Sequence, residues 1–311
     1  MKGALVAILL ATVAVGAQQQ TTFRVRRELV RVDVLVTDRG KPVAGLAASD
    51  FRIADNGVPQ TVEVIGSDDA HINVAIVLDT SGSVSGDRLD RLRRATRSAL
   101  ATLKTGDNVA LVGFSHVIGR GAALTGDLNG ALESLNHAPT GGETSLYDAS
   151  YAGLTLAESK PGRALLIVLS DGLDTASWLT PNLVLEAAKR SSVVVYGVSV
   201  QQPPPNVGNR GDLLKAQTYA ELSYGASVPP AGPIFLRDLT AATGGSLFEV
   251  EASRNLDALF ASVVSEFRAR YLIGYSPSGV ESAGWHRITV TIPGHPNLTV
   301  TARPGYQGPN N

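Results

Sequence analysis

The feature that most constrains the fold is a regular alternation of apolar runs and amphipathic stretches between residues 71 and 268. The runs have strand length and are almost continuously apolar, at residues 73–78, 109–114, 164–169 and 193–200. Continuous apolar runs are typical of strands that are buried on both faces of a parallel sheet. They predict that a sheet of this kind forms the centre of the molecule.

Apolar residues at helical spacing occupy the intervals between the runs. The predicted helices are residues 87–103, 128–135, 146–157, 181–188, 236–242 and 256–267, and a further strand is predicted at residues 246–250. Strands and helices that alternate along the chain place helices on both faces of the sheet. The fold class predicted for residues 71–268 is therefore α/β, with a doubly wound, mainly parallel sheet.

Both flanks of this region show the period-two alternation of half-buried strands. Strands are predicted at residues 30–36, 51–53, 61–65, 270–275, 286–292 and 298–302. Neither flank is large enough to form a stable domain alone. The two flanks are residues 18–70 and residues 269–311. We therefore expect the two segments to pair into a small β-sandwich, with the α/β domain inserted between them.

The first seventeen residues have the pattern of a cleavable signal peptide. Lys2 is followed by an apolar run at residues 4–15 and by small residues at 15–17, so the mature chain is expected to begin at Gln18. The alternative is an uncleaved anchor. Export predicts a secreted, periplasmic or cell-envelope location, and no later stretch is long and apolar enough for a transmembrane helix.

Composition excludes several classes of function. The chain has no cysteine, which rules out disulfides, thiol catalysis and a lipidated cysteine. The net charge is −1, so it does not point to nucleic acid or to an anionic membrane surface as a partner. The five histidines show no metal-ligand spacing. Neither a Gly-x-Ser-x-Gly elbow nor a phosphate-binding loop occurs, so no set of catalytic groups supports an enzyme.

An acidic and hydroxyl-rich motif follows the first apolar run. Residues 79–83 read Asp-Thr-Ser-Gly-Ser, so Asp79, Ser81 and Ser83 lie just beyond the predicted strand end. In open parallel sheets, ligands bind outside the carboxyl ends of the strands. One carboxylate and two hydroxyls form an oxygen-only set that suits Mg²⁺, and less specifically Mn²⁺ or Ca²⁺.

Two more oxygen-bearing residues are expected at the same edge of the sheet. Asp171 follows the apolar run at residues 164–169, and Thr144 lies in a glycine-rich loop just before a predicted helix. Two carboxylates that share a dry site repel each other unless a cation lies between them. The sequence thus predicts a metal site formed by Asp79, Ser81, Ser83, Thr144 and Asp171.

In this order and on these elements, the five residues resemble the metal-ion-dependent adhesion site of the von Willebrand factor type A domain, which has a Rossmann-like fold. The resemblance implies that Ser81, Ser83 and Thr144 contact the metal directly, and that Asp79 and Asp171 act directly or through water. It implies that a carboxylate from a protein partner completes the coordination. Members of this family often switch state as the last helix slides, which here would be residues 256–267.

The flanks resemble a bacterial von Willebrand factor–related group that is abundant in Acidobacteria. The similar segments are residues 34–38, 50–51, 55–57, 274–277 and 302–306. The leading hypothesis is a secreted, non-enzymatic adhesion module that binds an acidic group of a protein partner through Mg²⁺. The alternatives are a structural envelope component with a stabilising metal site, and a metal-assisted hydrolase that lacks an evident general base.

One long connection interrupts the alternation. Residues 201–233 are rich in proline and exceed the usual length of a strand–helix connection. Because this insertion follows a predicted strand, we expect it to emerge at the same edge as the metal site and to shape partner choice. It contains Arg210-Gly211-Asp212, a tripeptide that some integrins recognise and that chance also explains in a glycine-rich chain.

Overall fold

The computed structural model describes residues 29–66, 70–81, 87–119, 123–138, 140–201, 234–251 and 255–309. The predicted signal peptide, Ser83, the Arg-Gly-Asp tripeptide and nearly all of the 201–233 insertion lie outside these residues. A search of the described ranges for a helix with the length and apolarity of a membrane span found none.

The described strands are, in chain order, β1 (Val30–Asp38), β2 (Lys41–Pro42), β3 (Arg52–Asp55), β4 (Val58–Gln60), β5 (Val64–Gly66), β6 (Ile72–Asp79), β7 (Asn108–Phe114), β8 (Arg163–Ser170), β9 (Val194–Gln201), β10 (Leu247–Glu251), β11 (Tyr271–Tyr275), β12 (Trp285–Thr291), β13 (Thr299–Thr301) and β14 (Gly305–Gln307). The described helices are α1 (Asp87–Leu100), α2 (Leu128–Ser134), α3 (Leu146–Ala157), α4 (Pro181–Arg190), α5 (Ile234–Thr243) and α6 (Leu256–Arg268).

The centre of the molecule is a parallel sheet with the strand order β10-β9-β8-β6-β7. Every residue of β6 and of β8 is buried, as their continuous apolar sequences require. Apolar side chains of α1 and α6 pack against one face, and those of α3, α4 and α5 pack against the other. The predicted doubly wound α/β fold is confirmed.

The outer strands form two antiparallel sheets. One has the order β13-β1-β11-β5, with β2 beside β1, and the other has the order β14-β12-β3-β4. Both combine strands from before and after the α/β region, because neither segment alone supplies enough strands to bury an apolar face. A shared core that includes Val32, Phe51, Ile53, Ile273 and Ile288 lies between the sheets. The predicted sandwich of N- and C-terminal strands is confirmed, while the segment limits at residues 70 and 268 stay predictions.

One predicted strand is wrong. The sequence predicts a single strand at residues 61–65. In the structure, β4 ends at Gln60 and β5 begins at Val64, so residues 61–63 belong to no strand. The two strands belong to different sheets, because β4 pairs with β3 whereas β5 pairs with β11. The chain crosses between the sheets at residues 61–63, which breaks the strand despite its apolar alternation. The short strand β14 was not predicted.

Buried ion pairs connect the sandwich to the starting end of the parallel sheet. Arg163, the first residue of β8, pairs with Asp33 of β1, and both side chains are more than nine-tenths buried. Arg163 also donates to the carbonyl oxygens of Phe267 and Arg270, at the end of α6. Nearby, Arg268 pairs with Asp107. We call these two ion pairs, Asp33–Arg163 and Asp107–Arg268, the base of the domain.

Candidate metal centre

The candidate metal residues follow the carboxyl ends of β6 and β8, at the opposite edge of the sheet from the base. The chain passes from β6 to β7 on one side and then returns to place β8 on the other side of β6. The order of strands therefore reverses between β6 and β8, and such a reversal opens a crevice at the carboxyl ends. Asp79 ends β6, and Asp171 directly follows β8. We call residues 79–81, 140–145 and 171–180 the rim.

Asp79 is fully buried and accepts hydrogen bonds from Ser81 and Ser170. The Ser170 hydroxyl donates to Asp79 Oδ2 at 2.8 Å, and the Ser81 amide donates to Asp79 Oδ1 at 2.9 Å. Burial raises the pKa of Asp79 above its ordinary value, and the negative charge of Asp171 raises this pKa further. The two carboxylates are thus close enough to repel each other.

The loop at residues 140–145 brings Thr144 to this edge. Its Gly141 amide donates to the Thr80 carbonyl at 2.9 Å, which joins the loop to the end of β6. Gly141 and Gly142 have φ values of +83° and +82°, a backbone conformation that glycine adopts without strain. A Cβ at Gly142 would lie 2.5 Å from His116 Nδ1, so a larger residue would also collide with a side chain. The glycine pair is required by the geometry of the turn.

Thr144 is attached on its other side to the segment that follows Asp171. The Thr175 amide donates to the Thr144 carbonyl at 2.8 Å, and the Thr144 amide donates to Thr175 Oγ1 at 2.9 Å. Within the same segment, the Leu173 amide donates to Asp171 Oδ1 at 3.2 Å. Hydrogen bonds therefore connect all three loops of the rim into one continuous arrangement.

Four of the five predicted site residues, Asp79, Ser81, Thr144 and Asp171, lie on these connected loops, and Ser83 is outside the described residues. Over the part of the chain that is described, no group of three or more His, Cys, Asp or Glu side chains forms a metal site. An ion at the rim would therefore depend on hydroxyl oxygens as well as carboxylates. The Ser145 hydroxyl, next to Thr144, is buried and has no hydrogen-bond partner among the described groups.

Sequence reasoning missed two acids that shape the rim. Asp174 accepts hydrogen bonds from the Tyr147 amide and the Ser177 hydroxyl, and burial raises its pKa. Asp148, in the first turn of α3, accepts from the amides of Trp178 and Leu179 at 3.0 and 2.8 Å. The Asp-x-x-Ser spacing at residues 174–177 was the available signal for the first acid, because aspartate often bonds its own turn.

Comparison with protein families finds one match. Residues 74–173 match the model of the von Willebrand factor type A domain. Among the curated proteins, none matches this sequence.

Solved structures give distant similarities. An aerotolerance-related membrane protein from Bacteroides fragilis, with multiple mutations to serine, is 15% identical, with 63% of this chain and 98% of that chain covered and a TM-score of 0.43. The PilB minor pilin from Streptococcus sanguinis is 14% identical, with 65% of this chain and 62% of that chain covered and a TM-score of 0.42. A von Willebrand factor type A protein from Catenulispora acidiphila is 14% identical, with 92% of this chain and 65% of that chain covered and a TM-score of 0.48.

Proposed function

Residues 74–173 carry a von Willebrand factor type A domain, and from this premise we propose that the chain is a metal-dependent protein-binding module. A domain of this class suggests a role in protein interaction or adhesion. The proposed ion is Mg²⁺, with Mn²⁺ or Ca²⁺ as substitutes, and the proposed ligands are Asp79, Ser81, Ser83, Thr144 and Asp171. The proposed target is an acidic group on a protein partner.

The observation that carries this proposal is that side chains with metal-ligating oxygens lie on connected loops at the strand-order reversal. Ser170 connects the ends of β6 and β8 through Asp79, and Thr80 connects to the glycine loop that carries Thr144. The donors are carboxylates and hydroxyls, which Mg²⁺ prefers. The repulsion between Asp79 and Asp171 is the kind of unfavourable interaction that a cation relieves. The unsatisfied Ser145 hydroxyl is also consistent with a further bound group at the rim.

The residues have distinct roles in the proposed site. Ser81, Ser83 and Thr144 would hold the ion directly through hydroxyl oxygens, and Asp79 and Asp171 would hold it directly or through water. The bound ion would supply a concentrated positive charge with a position open to a foreign carboxylate. The Ser170 hydroxyl orients Asp79, and Thr175 fixes the position of Thr144.

Isothermal titration calorimetry with Mg²⁺ tests the metal site. We expect the full chain to bind Mg²⁺ and the Asp171→Ala variant to lose binding. The matched control is Asp90→Asn, an exposed acid on α1 of the same domain that pairs with Arg93. Unchanged Mg²⁺ binding in Asp171→Ala, or equal losses in both variants, would reject the assignment.

Chelation separates adhesion from a structural role for the metal. For an adhesion module, we expect a chelator to abolish capture of partners from cell-envelope extract while circular dichroism shows a folded chain. Unfolding on chelation would instead favour a structural site. Turnover of an ester or peptide that disappears in Asp79→Ala would favour the hydrolase and contradict the non-enzymatic proposal.

The insertion is proposed to select the partner. β9 is parallel to β8 and ends at Gln201, so the insertion leaves the sheet at the carboxyl edge, where the rim lies. Deletion of residues 203–230 is expected to change which proteins are captured and to leave Mg²⁺ affinity nearly unchanged. Loss of Mg²⁺ binding in this deletion would contradict a role confined to partner choice.

The proposed location is outside the cytoplasm. This proposal depends on the signal-peptide pattern at residues 1–17, which lie outside the described residues. Amino-terminal sequencing of the protein recovered from medium, periplasm and envelope fractions tests it, and a first residue of Gln18 is expected. Recovery of the uncleaved chain from the cytoplasm would contradict export.

A further inference from the structure

The rim carries a tryptophan whose side chain is almost completely exposed. Trp178 is 95% exposed, whereas Trp285, the chain's other tryptophan, is 39% exposed. A tryptophan ring exposes a large apolar area to water, so burial against a partner is favourable. Exposed tryptophans are also enriched among the residues that dominate binding energy at protein interfaces.

The backbone beneath Trp178 is fixed in place. Both carboxylate oxygens of Asp148 accept from successive amides, those of Trp178 and Leu179. The Ser177 hydroxyl accepts from the Tyr147 and Asp148 amides and donates to Asp174. An anchored backbone reduces the conformational entropy that the segment loses when a partner binds. Trp178 is therefore exposed on a preorganised segment.

The same segment is connected to the proposed metal ligands. It begins at Asp171, and its Thr175 and Ala176 amides both donate to the carbonyl of Thr144. Trp178 follows two residues after Ala176. A partner that reaches the proposed metal ligands Asp171 and Thr144 would therefore approach the exposed ring as well.

Two more exposed residues close to Trp178 in the sequence are apolar. Leu173 is 48% exposed within the segment, and Leu183, in the first turn of α4, is 57% exposed. Residues 173–183 thus hold three exposed apolar side chains, and the other exposed residues of this stretch, Thr175, Thr180 and Asn182, are uncharged. A stretch whose exposed groups are apolar or uncharged favours an apolar group of the partner over a cationic one.

We infer that the rim recognises a two-part determinant: a carboxylate for the ion and a large apolar side chain, close to it in the partner, that packs on Trp178. The inference rests on the proposed metal-dependent function and adds the chemical class of the partner. The ion alone would accept any accessible carboxylate, so Trp178 would add discrimination among acidic surfaces to the selection proposed for the insertion.

Selection from a peptide pool tests the inference. The pool holds capped decapeptides with one fixed glutamate and all other positions randomised, and the full chain retains them in the presence of Mg²⁺. We expect the retained peptides to be enriched in Phe, Trp, Leu or Ile near the glutamate. With Trp178→Ser, we expect retention without this apolar enrichment.

The best retained peptide then provides a quantitative test. Its dissociation constant, measured by fluorescence anisotropy, is expected to rise by about tenfold or more in Trp178→Ser. The Trp285→Phe control should bind like the wild type. This control leaves Trp178 as the sole tryptophan, so its emission should shift to shorter wavelength when the peptide buries it.

The outcomes separate the two proposals. Retention of glutamate peptides without apolar enrichment, or with Lys or Arg enrichment, would overturn the inference and leave the metal-dependent function standing. Calorimetric Mg²⁺ binding without any Mg²⁺-dependent retention of glutamate peptides would overturn the proposed partner chemistry, and the inference with it. Equal dissociation constants for Trp178→Ser and wild type would overturn the inference alone.

Discussion

The two ends of β8 carry opposite electrostatic arrangements, although seven residue steps of about 3.3 Å each separate them by only about 23 Å. At the base, Arg163 and Asp33 neutralise each other in a buried environment, and Arg163 also binds backbone carbonyls. At the rim, Asp79 and Asp171 have like charges, and burial raises the pKa of Asp79. The chain supplies its own counter-charge at one end, and at the other the proposed Mg²⁺ would supply it.

From this difference we expect the base to stabilise the fold and the rim to bind the proposed ligand. A buried ion pair is costly to break because its remaining partner is left uncompensated. A pair of like charges destabilises the apo protein and lets a ligand recover the loss.

Removal of the base arginine should cost the most stability. In Arg163→Met, we expect the free energy of unfolding to fall by about 3–5 kcal/mol, because Asp33 keeps a buried charge without its partner. Urea denaturation in the presence of a chelator measures the loss. Arg237→Met is the control, because Arg237 pairs with Glu249 on the surface and its loss should cost less than about 1 kcal/mol.

The double variant Asp33→Asn/Arg163→Met sharpens the same prediction. It should recover part of the stability lost in the single variant, since no uncompensated charge remains. If the double variant is less stable than the single one, the loss does not come from the unpaired aspartate.

Magnesium should have the next largest effect on the free energy of unfolding, and it should act only by binding at the rim. At a free concentration about a hundredfold above the dissociation constant, Mg²⁺ should raise the free energy of unfolding by about 2.7 kcal/mol. Asp171→Asn should abolish this increase. With a chelator present, it should unfold at the same or higher urea concentration than the wild type, because the repulsion with Asp79 is gone. Lower stability of Asp171→Asn under chelation would contradict the like-charge interpretation.

Loss of Asp148 should lower both the stability of the chain and its affinity for Mg²⁺. Asp148→Ala removes the acceptor of two amide hydrogen bonds, so we expect a loss of about 2 kcal/mol in unfolding free energy. The segment that holds Thr144 would also loosen, and Mg²⁺ affinity should fall by about tenfold. Denaturation and calorimetry measure the two effects. Asp90→Ala serves as the control. An unchanged Mg²⁺ affinity in Asp148→Ala would show that the hydrogen bonds of Asp148 do not support the proposed metal site.

Trp178 should have the smallest effect on stability. Because its side chain is 95% exposed, Trp178→Ser should change the free energy of unfolding by less than about 0.5 kcal/mol. Thermal denaturation of the two proteins measures this difference. A loss of more than about 1 kcal/mol would show that the ring packs within the chain and is not reserved for a partner.

The sequence predicted the central sheet well because burial dominates there. Strands that are buried on both faces need continuous apolar runs, and β6 and β8 show them directly. The placement of Asp79 and Asp171 at strand ends follows from the same runs. Binding of an ion by the five residues stays a prediction, and Ser83 lies outside the described residues.

The features that escaped prediction depend on contacts between distant parts of the chain. Asp33 and Arg163 are 130 residues apart and meet only because the sandwich packs against the sheet. The break between β4 and β5 likewise reflects which sheet each strand joins, and local alternation carries no such information. The Trp178 amide donates to Asp148, 30 residues earlier in the chain, and a lone tryptophan in a loop gives no sign of this contact.

The insertion of the α/β domain between β5 and β11 also has a mechanical consequence. The two strands are antiparallel neighbours, with Gly66 opposite Leu272, so the chain leaves and re-enters the sandwich at adjacent points. Tension between the domain and the sandwich would be shared by two strands side by side. A pull along β11 shears it against β1, whose paired residues run from Val30 to Val34. In shear, the hydrogen bonds of a ladder resist together and do not open one after another.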